Sequence, residues 1–186
     1  MGKVMSLIST TIDGFADRDY VIIDAAFFDF THKLLSGTST IAFGRNTFEQ
    51  FQNRWPLILE NEDEPGWKVK MARVLNDKHK AVYSSTLKTT TWSNSGIVQI
   101  LDAGSINAYK EEGKEGLLTL GSLQLVTALT AMKLIDDYYF CIQPFIAGNG
   151  EERLFDKLKP AGKPLKYVDS KQLESGVHII HYQPEN

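Results

Sequence analysis

Residues Ala42–Phe51 read AFGRNTFEQF, in which an apolar, strand-like run meets a polar joint and then a helix-like pattern. The joint is the tetrapeptide Gly44–Thr47. Thr47 and Gln50 fit a capping box, in which each side chain satisfies an end N–H group, so we expect the helix to begin at Thr47. Unpaired N–H groups at a helix start, beside the Arg45 guanidinium, make a seat for a phosphate. The alternative is a polar connection that binds nothing.

Apolar runs typical of buried strands recur on both sides of this joint. They lie at Val4–Thr11, Thr40–Phe43, Ala81–Ser84, Ile97–Leu101, Leu117–Leu120, Tyr138–Ile146 and Val177–Tyr182. Patterns at helical spacing separate several of them, at Ala25–Leu35, Thr47–Arg54, Trp67–Leu75 and after Ser122. This alternation predicts a three-layer α/β/α fold with a mostly parallel central sheet. The last two runs have no intervening helix, which predicts antiparallel C-terminal edge strands. Residues 1–186 are predicted to form a single domain.

Composition and charge narrow the classes of function. The chain has 186 residues, a formal net charge of -3 and one cysteine, Cys141. This charge gives no reason to expect nucleic acid or an acidic membrane as a partner. One cysteine excludes an internal disulfide, and four histidines without metal-ligand spacing predict no metal site. The N-terminal apolar run is too short and polar for a signal peptide, and one cysteine is compatible with a reducing compartment, so we predict a cytoplasmic protein. We also expect a small-molecule substrate.

Two further segments have the pattern of ligand-binding joints. Residues Gly121–Gln124 follow the run GLLTL, and Tyr83–Thr86 close the run KAVYS. In parallel sheets, ligands lie at the carboxyl ends of strands, where helices begin. The hydroxyl groups of Ser84–Thr86 either form turns with their own backbone or, with Arg45 nearby, receive a ribose phosphate, which favours NADPH over NADH. The sequence GNG at Gly148–Gly150 lacks the third glycine of a dinucleotide motif and predicts a turn.

With these pieces in order, the sequence resembles the dihydrofolate reductase superfamily. The likeness is greatest for the branch related to the C-terminal reductase domain of the bifunctional riboflavin-synthesis enzyme, RibD. It runs from about Val4 to Phe155, and four segments match in order: SLISTTIDGFAD, IAFGRNTFEQF, AVYSSTL and the closing segment from LLTLGSL to GNGEERLF. The resemblance implies a dihydrofolate reductase-like fold and an NADPH-dependent reductase.

The resemblance also implies roles for individual residues. Those expected to bind the cofactor are Thr11, Gly44, Arg45, Asn46, Thr47, Ser84, Ser85, Thr86, Gly121, Ser122, Leu123 and Gln124. In this assignment Gly44–Thr47 hold the phosphates, with Arg45 near the adenosine ribose, and Ser84–Thr86 take the 2′-phosphate. Residues Gly121–Gln124 lie against the pyrophosphate and the nicotinamide ribose. The nicotinamide borders Thr11, Ile12 and Phe15, and the substrate lies in a cleft lined by Phe15, Asp24, Phe27 and Phe28.

Two departures from the family's pattern affect this site. The family usually has two adjacent glycines where this chain has Gly121 and Ser122, and a glycine pair lets a cofactor approach the backbone closely. Dihydrofolate reductases carry a carboxylate on the first helix, for which Asp24 is the candidate catalytic residue here and Asp29 the fallback. The simpler interpretation of Asp24 is a helix N-cap, which stabilises a helix by about 1 kcal/mol.

The predicted activity is hydride transfer from NADPH to a small pterin- or pyrimidine-like heterocycle. One alternative is the 5-amino-6-(5-phosphoribosylamino)uracil reductase of riboflavin biosynthesis. The phosphate of that substrate needs a second basic locus, for which Lys33, Arg54 and Lys114 are candidates. Another alternative is a non-catalytic nucleotide-binding homodimer. The long apolar run Tyr138–Ile146 suits either a central strand or a strand covered by a partner. The resemblance to the riboflavin branch implies a homodimer.

Overall fold

The computed structural model describes residues 1–112, 115–159 and 162–185. The strands are β1 (Val4–Thr11), β2 (Thr38–Gly44), β3 (His79–Tyr83), β4 (Ser95–Val98), β5 (Gly116–Leu120), β6 (Asp137–Gln143), β7 (Leu165–Gln172) and β8 (His178–Pro184). The helices are α1 (Ala25–Ser36), α2 (Arg45–Gln52), α3 (Trp55–Ile58), α4 (Gly66–Asp77), α5 (Ala103–Glu111) and α6 (Leu123–Ala131).

One eight-stranded sheet has the order β4-β3-β2-β5-β1-β6-β8-β7. The six strands from β4 to β6 are parallel, and β8 runs antiparallel to both β6 and β7. The predicted antiparallel pairing of the last two apolar runs is therefore confirmed. The structure adds β7 outside them as the edge strand, and β6 lies inside the sheet between β1 and β8. The apolar character of β6 is thus explained within the chain.

Apolar side chains on the two faces of the sheet pack against different helices. Met5 and Leu7 of β1 belong to one buried cluster with side chains from α1, α2, α3 and α4. Val4 and Ile8, which alternate with them, belong to the other cluster with α5 and α6. Because successive side chains of a strand point to opposite faces, a strand buried on both sides reads as a continuous apolar run. The layers are those of the predicted α/β/α fold.

The capping box predicted at Thr47 is wrong. Helix α2 begins at Arg45, its N-cap is Gly44 in an extended conformation, and no side chain caps it. The strand therefore passes directly into the helix, and Thr47 lies inside the first turn. The N-cap residue instead has a distant partner, since Gly44 N donates a hydrogen bond of 3.0 Å to Ser122 Oγ. A local start signal cannot include a partner from another joint.

On the antiparallel side of the sheet, the buried carboxylate of Asp137 accepts three hydrogen bonds. Its donors are Lys3 Nζ at 2.9 Å, His181 Nε2 at 2.8 Å and Gln183 Nε2 at 2.8 Å. Burial by itself raises the pKa of Asp137, but the hydrogen bonds from Gln183, Lys3 and His181 lower it below its ordinary value. This charge is fully paired inside the protein.

None of the helices in the described part of the chain has the length and apolar character needed to span a membrane. Within the same residues, no three His, Cys, Asp or Glu side chains are placed to hold a metal ion together.

Candidate functional site

A cleft of about 1100 Å³ opens at the carboxyl ends of the central parallel strands. The ends of β1, β2 and β5 line it through Ser9, Gly44 and Leu120, and Ser84 lines it just beyond β3. This is the edge of a parallel sheet at which ligands bind, since helix starts there present unpaired N–H groups. This volume is slightly above the ~300–1000 Å³ that is usual for one small ligand, so the cleft suits a dinucleotide and a substrate together.

Two strand-to-helix joints meet at the rim of this cleft. Because β2 and β5 are neighbours in the sheet, Gly44 before α2 lies beside Ser122 before α6. Gly121 has φ +63°, and a Cβ built on it would lie 3.8 Å from Thr47 Cγ2. Ser122 also has a left-handed conformation, with φ 59°. The starts of α2 and α6 therefore present their free N–H groups to one space, which is the arrangement that an extended phosphate ligand needs.

Most residues predicted to bind a cofactor line this cleft. They are Gly44, Arg45, Asn46, Thr47, Ser84, Thr86, Gly121, Ser122, Leu123 and Gln124. Arg45 is exposed, and no carboxylate among the described residues forms an ion pair with it. Its guanidinium has five N–H donors, so it can bind an anionic ligand.

The hydroxyl-rich turn after β3 forms hydrogen bonds with its own backbone. Ser84 Oγ accepts from Leu87 N at 3.0 Å and from Thr86 N at 3.3 Å. This is the turn-forming alternative considered from the sequence. Ser84 and Thr86 still line the cleft, whereas Ser85 is exposed and does not.

The opposite wall of the cleft is aromatic. Phe27 and Phe28 of α1 line it together with Phe51 and Trp55, as predicted for the two α1 residues by their position. The Phe28 and Trp55 rings lie 5.6 Å apart with an edge-on orientation, and the Phe51 and Trp55 rings 5.9 Å apart. The Thr31 hydroxyl donates to Phe27 O at 2.9 Å, so it offers no donor to a ligand. This wall suits the face of a flat ring.

Besides Ser85, five residues considered from the sequence for the catalytic, cofactor or substrate site do not line the cleft. Asp24 is the N-cap of α1, and its Oδ1 accepts from Phe27 N at 2.8 Å. Asp29 is exposed on the same helix. Thr11 is buried, and its hydroxyl donates to Asp13 Oδ1 at 2.6 Å and accepts from Phe15 N at 3.0 Å. The geometry favours the N-cap interpretation of Asp24 and gives Thr11 a role in the turn after β1. Ile12 and Phe15 belong to the same turn.

Two loops beside the cleft are joined by a contact that sequence reasoning missed. Asp13 accepts from Ala147 N at 3.0 Å and from Gly148 N at 2.7 Å. Asp17 accepts from Glu151 N at 2.8 Å, and a Cβ on Gly150 would lie 2.5 Å from Asp17 Oδ2. We call this contact between residues 12–17 and 147–152 the loop clasp. The sequence does predict the GNG turn at Gly148–Gly150, but its pattern does not reveal that residues 12–17 are the partner of this turn.

The loop clasp depends on the ionised form of Asp13. The hydrogen bond from the Thr11 hydroxyl, followed by that from the Ala147 N–H, lowers the pKa of Asp13 to about 2. A carboxylate accepts all of these bonds only while it is deprotonated.

Of the three basic groups proposed from the sequence for a substrate phosphate, one lies in the cleft. Arg54 lines it, and Arg18, which sequence reasoning did not select, lines it as well. Lys33 lies in a separate cavity beside the amino ends of β1 and β5. Lys114 lies outside the described residues.

Comparisons with known proteins agree with this architecture. A family model described as the RibD C-terminal domain matches residues 3–179. The uncharacterized protein YyaP of Bacillus subtilis (strain 168) is 24% identical over 191 residues, which cover 97% of this chain and 94% of YyaP.

Two solved structures share the fold. The first, a Shewanella sp. PV-4 protein provisionally named a riboflavin biosynthesis protein, has a TM-score of 0.71 and 16% identity over 99% of each chain. The second, a pyrimidine reductase-like protein of Corynebacterium diphtheriae, has a TM-score of 0.67 and 12% identity over 100% of this chain and 92% of that one. The predicted dihydrofolate reductase-like fold is thereby confirmed.

Proposed function

Because the chain belongs to the RibD C-terminal domain family, we propose that it is an NADPH-dependent reductase of a small pterin- or pyrimidine-like heterocycle. The observation that carries this proposal is the meeting of two helix starts at one rim of a single cleft, beside Arg45, which forms no ion pair with any described residue. Positive partial charge at both helix starts, with a guanidinium beside them, favours a ligand with several phosphates.

The cofactor would lie along this rim. In the proposed arrangement Gly44–Thr47 hold phosphate oxygens through backbone N–H groups, and Arg45 binds the 2′-phosphate that distinguishes NADPH from NADH. Gly121 faces the pyrophosphate, where the absence of a Cβ permits close approach. Ser84 and Thr86 flank the 2′-phosphate from the end of β3. NADPH, when bound, supplies the hydride.

The substrate would lie against the aromatic wall. Phe28 and Trp55 hold the flat face of a ring. We assign the proton to a water molecule rather than to Asp24, since the Asp24 carboxylate caps α1 and does not line the cleft. The chain's part in the chemistry is then to orient the cofactor and the substrate.

A second candidate is the 5-amino-6-(5-phosphoribosylamino)uracil reductase activity. Two observations favour it: the family is that of the RibD C-terminal domain, and Arg54 and Arg18 line the cleft in addition to Arg45. If Arg45 binds the cofactor, two guanidinium groups remain for the phosphate of such a substrate. The predicted homodimer stays a prediction, which light scattering tests directly.

The proposal is tested by titrating the protein with NADPH and NADH, followed by oxidation of NADPH against a panel of substrates. We expect tighter binding of NADPH and turnover with at least one pterin or pyrimidine. Turnover restricted to phosphoribosylated pyrimidines would select the second candidate. Tight binding without turnover on any substrate would instead support the non-catalytic nucleotide-binding protein. If neither NADPH nor NADH binds, the reductase proposal is refuted.

A further inference from the structure

Ser122 occupies a conformation that side chains rarely adopt. Its φ is 59°, in the left-handed region where a Cβ meets steric resistance, and the residue is only 7% exposed. Such a position is easiest for glycine. Serine at this position has a steric cost that glycine would avoid, so any compensating interaction must come from the serine hydroxyl group.

The Ser122 hydroxyl makes one hydrogen bond, in which it accepts. Its donor is Gly44 N at 3.0 Å, the N–H of the residue that precedes α2. A hydroxyl group also carries one proton of its own to donate. No acceptor in residues 1–112, 115–159 or 162–185 takes that proton, and Ser122 lines the cleft beside Gly121. The donor is therefore left for whatever lies in the cleft.

We propose that the Ser122 hydroxyl group, while it accepts the hydrogen bond from Gly44 N, donates a hydrogen bond to an oxygen of a pyrophosphate group bound in the cleft. Accepting from Gly44 polarises the hydroxyl, so that it becomes a better donor. The side chain then replaces the second glycine of the family's pattern with a donor. This inference rests on the proposed function, because it deepens the cofactor side of the same site.

Two substitutions separate the hydroxyl group from the backbone conformation. Ser122→Ala removes the hydroxyl, keeps the disfavoured φ and leaves the Gly44 N–H behind a methyl group. We expect the Kd for NADPH to rise ~10-fold, as for loss of a buried hydrogen bond. Ser122→Gly removes the hydroxyl but relieves the backbone and opens the Gly44 N–H to the ligand, so the rise should stay within ~3-fold. Ser122→Gly also keeps the test possible if the alanine variant does not fold.

The matched control is Thr130→Val on the same helix. Thr130 Oγ1 is buried and accepts from Tyr138 OH at 3.0 Å, but Thr130 does not line the cleft. This variant should lower the thermal stability and leave the Kd for NADPH unchanged.

Binding is measured by fluorescence titration with NADPH and by competition with inorganic pyrophosphate, the anion alone. The dissociation constant of pyrophosphate obtained from this competition should be lower for the wild type than for Ser122→Ala. Equal Kd values for the wild type and Ser122→Ala, or weaker binding by Ser122→Gly than by Ser122→Ala, would overturn the inference alone. Binding of pyrophosphate but not NADPH by the wild type, with weaker pyrophosphate binding by Ser122→Ala, would overturn the proposed function and support the Ser122 donor. Binding of neither would overturn both.

Discussion

On the parallel side of the sheet, Arg45 forms no ion pair with a described residue, whereas on the antiparallel side Asp137 of β6 accepts hydrogen bonds from three side chains. Both are charged residues at the end of an element, yet one faces an open cleft and the other is buried. The paired charge of Asp137 is thus a structural contact of the fold, while the charge of Arg45 is free for the ligand that we propose. Substitutions can therefore change the charge on one side of the sheet without changing the charge on the other side.

The largest effect is expected from Asp137→Ala. Removing a buried carboxylate leaves Lys3 and His181 without their partner, and disruption of such a network costs roughly 3 kcal/mol of unfolding free energy. Urea denaturation measures this loss. NADPH affinity, measured where the variant is folded, should stay unchanged. A variant that is as stable as the wild type but binds NADPH weakly would reverse the roles assigned to the two sides.

Arg45→Ala should change binding and spare stability. Loss of charge-assisted hydrogen bonds to a 2′-phosphate costs about 2 kcal/mol, which corresponds to a rise of ~30-fold in the Kd for NADPH. NADH lacks this phosphate, so its Kd should change much less. Arg73→Ala is the control, since Arg73 is exposed on α4 and does not line the cleft. Equal losses for both nucleotides in fluorescence titrations would remove the 2′-phosphate role of Arg45.

A smaller effect is expected from Asp24→Ala. Loss of an N-cap costs about 1 kcal/mol of stability, and thermal unfolding should show it. Asp102→Ala is a matched control, because Asp102 caps α5 in the same way, accepting from Ser105 N at 2.8 Å. If both variants lose similar stability and keep reductase activity, Asp24 is a cap. Loss of activity by Asp24→Ala alone would restore the catalytic role predicted from the sequence.

The smallest effect concerns the loop clasp and pH. The pKa of Asp13 in the folded protein is about 2, below the ordinary value of 3.8, chiefly because of the hydrogen bond from Thr11. Because the pKa of Asp13 is lowered on folding, its contribution to the stability of the folded protein is complete above pH 3.8 and is lost as the pH falls through about 2. An NMR titration of the Asp13 carboxyl should show this midpoint. Asp13→Asn should accelerate exchange of the Ala147 and Gly148 amide protons at neutral pH, and unchanged exchange would argue against the clasp.

Much of the scaffold is readable from short-range pattern. Strand β1 spans Val4–Thr11 as predicted, because it is buried on both faces and so appears as an unbroken apolar run. Helix α1 begins at Ala25 as predicted, since apolar side chains at spacings of three and four mark its inner face. The two polar joints were visible because glycine and small polar residues interrupt apolar runs.

Other features were not readable because they depend on distant partners or on weak patterns. Strand β7 has the sequence LKYVDSKQ and is exposed along nearly its whole length, so it lacks the apolar signal of a buried strand. The contact of Ser122 with Gly44 and the contacts of Asp13 with the 147–148 backbone join residues far apart in the chain. The start of α2 at Arg45 was missed because this helix lacks the side-chain cap that the capping-box pattern predicts.

The order of strands in the sheet also bears on how the protein folds. Strand β1 is central, yet Val4 pairs with Leu117 and Met5 pairs with Asp137. During synthesis this apolar strand leaves the ribosome long before either neighbour exists. Pairings of such wide sequence separation slow folding and leave apolar surface exposed meanwhile. Refolding from denaturant should therefore be slow, and its yield should fall as protein concentration rises.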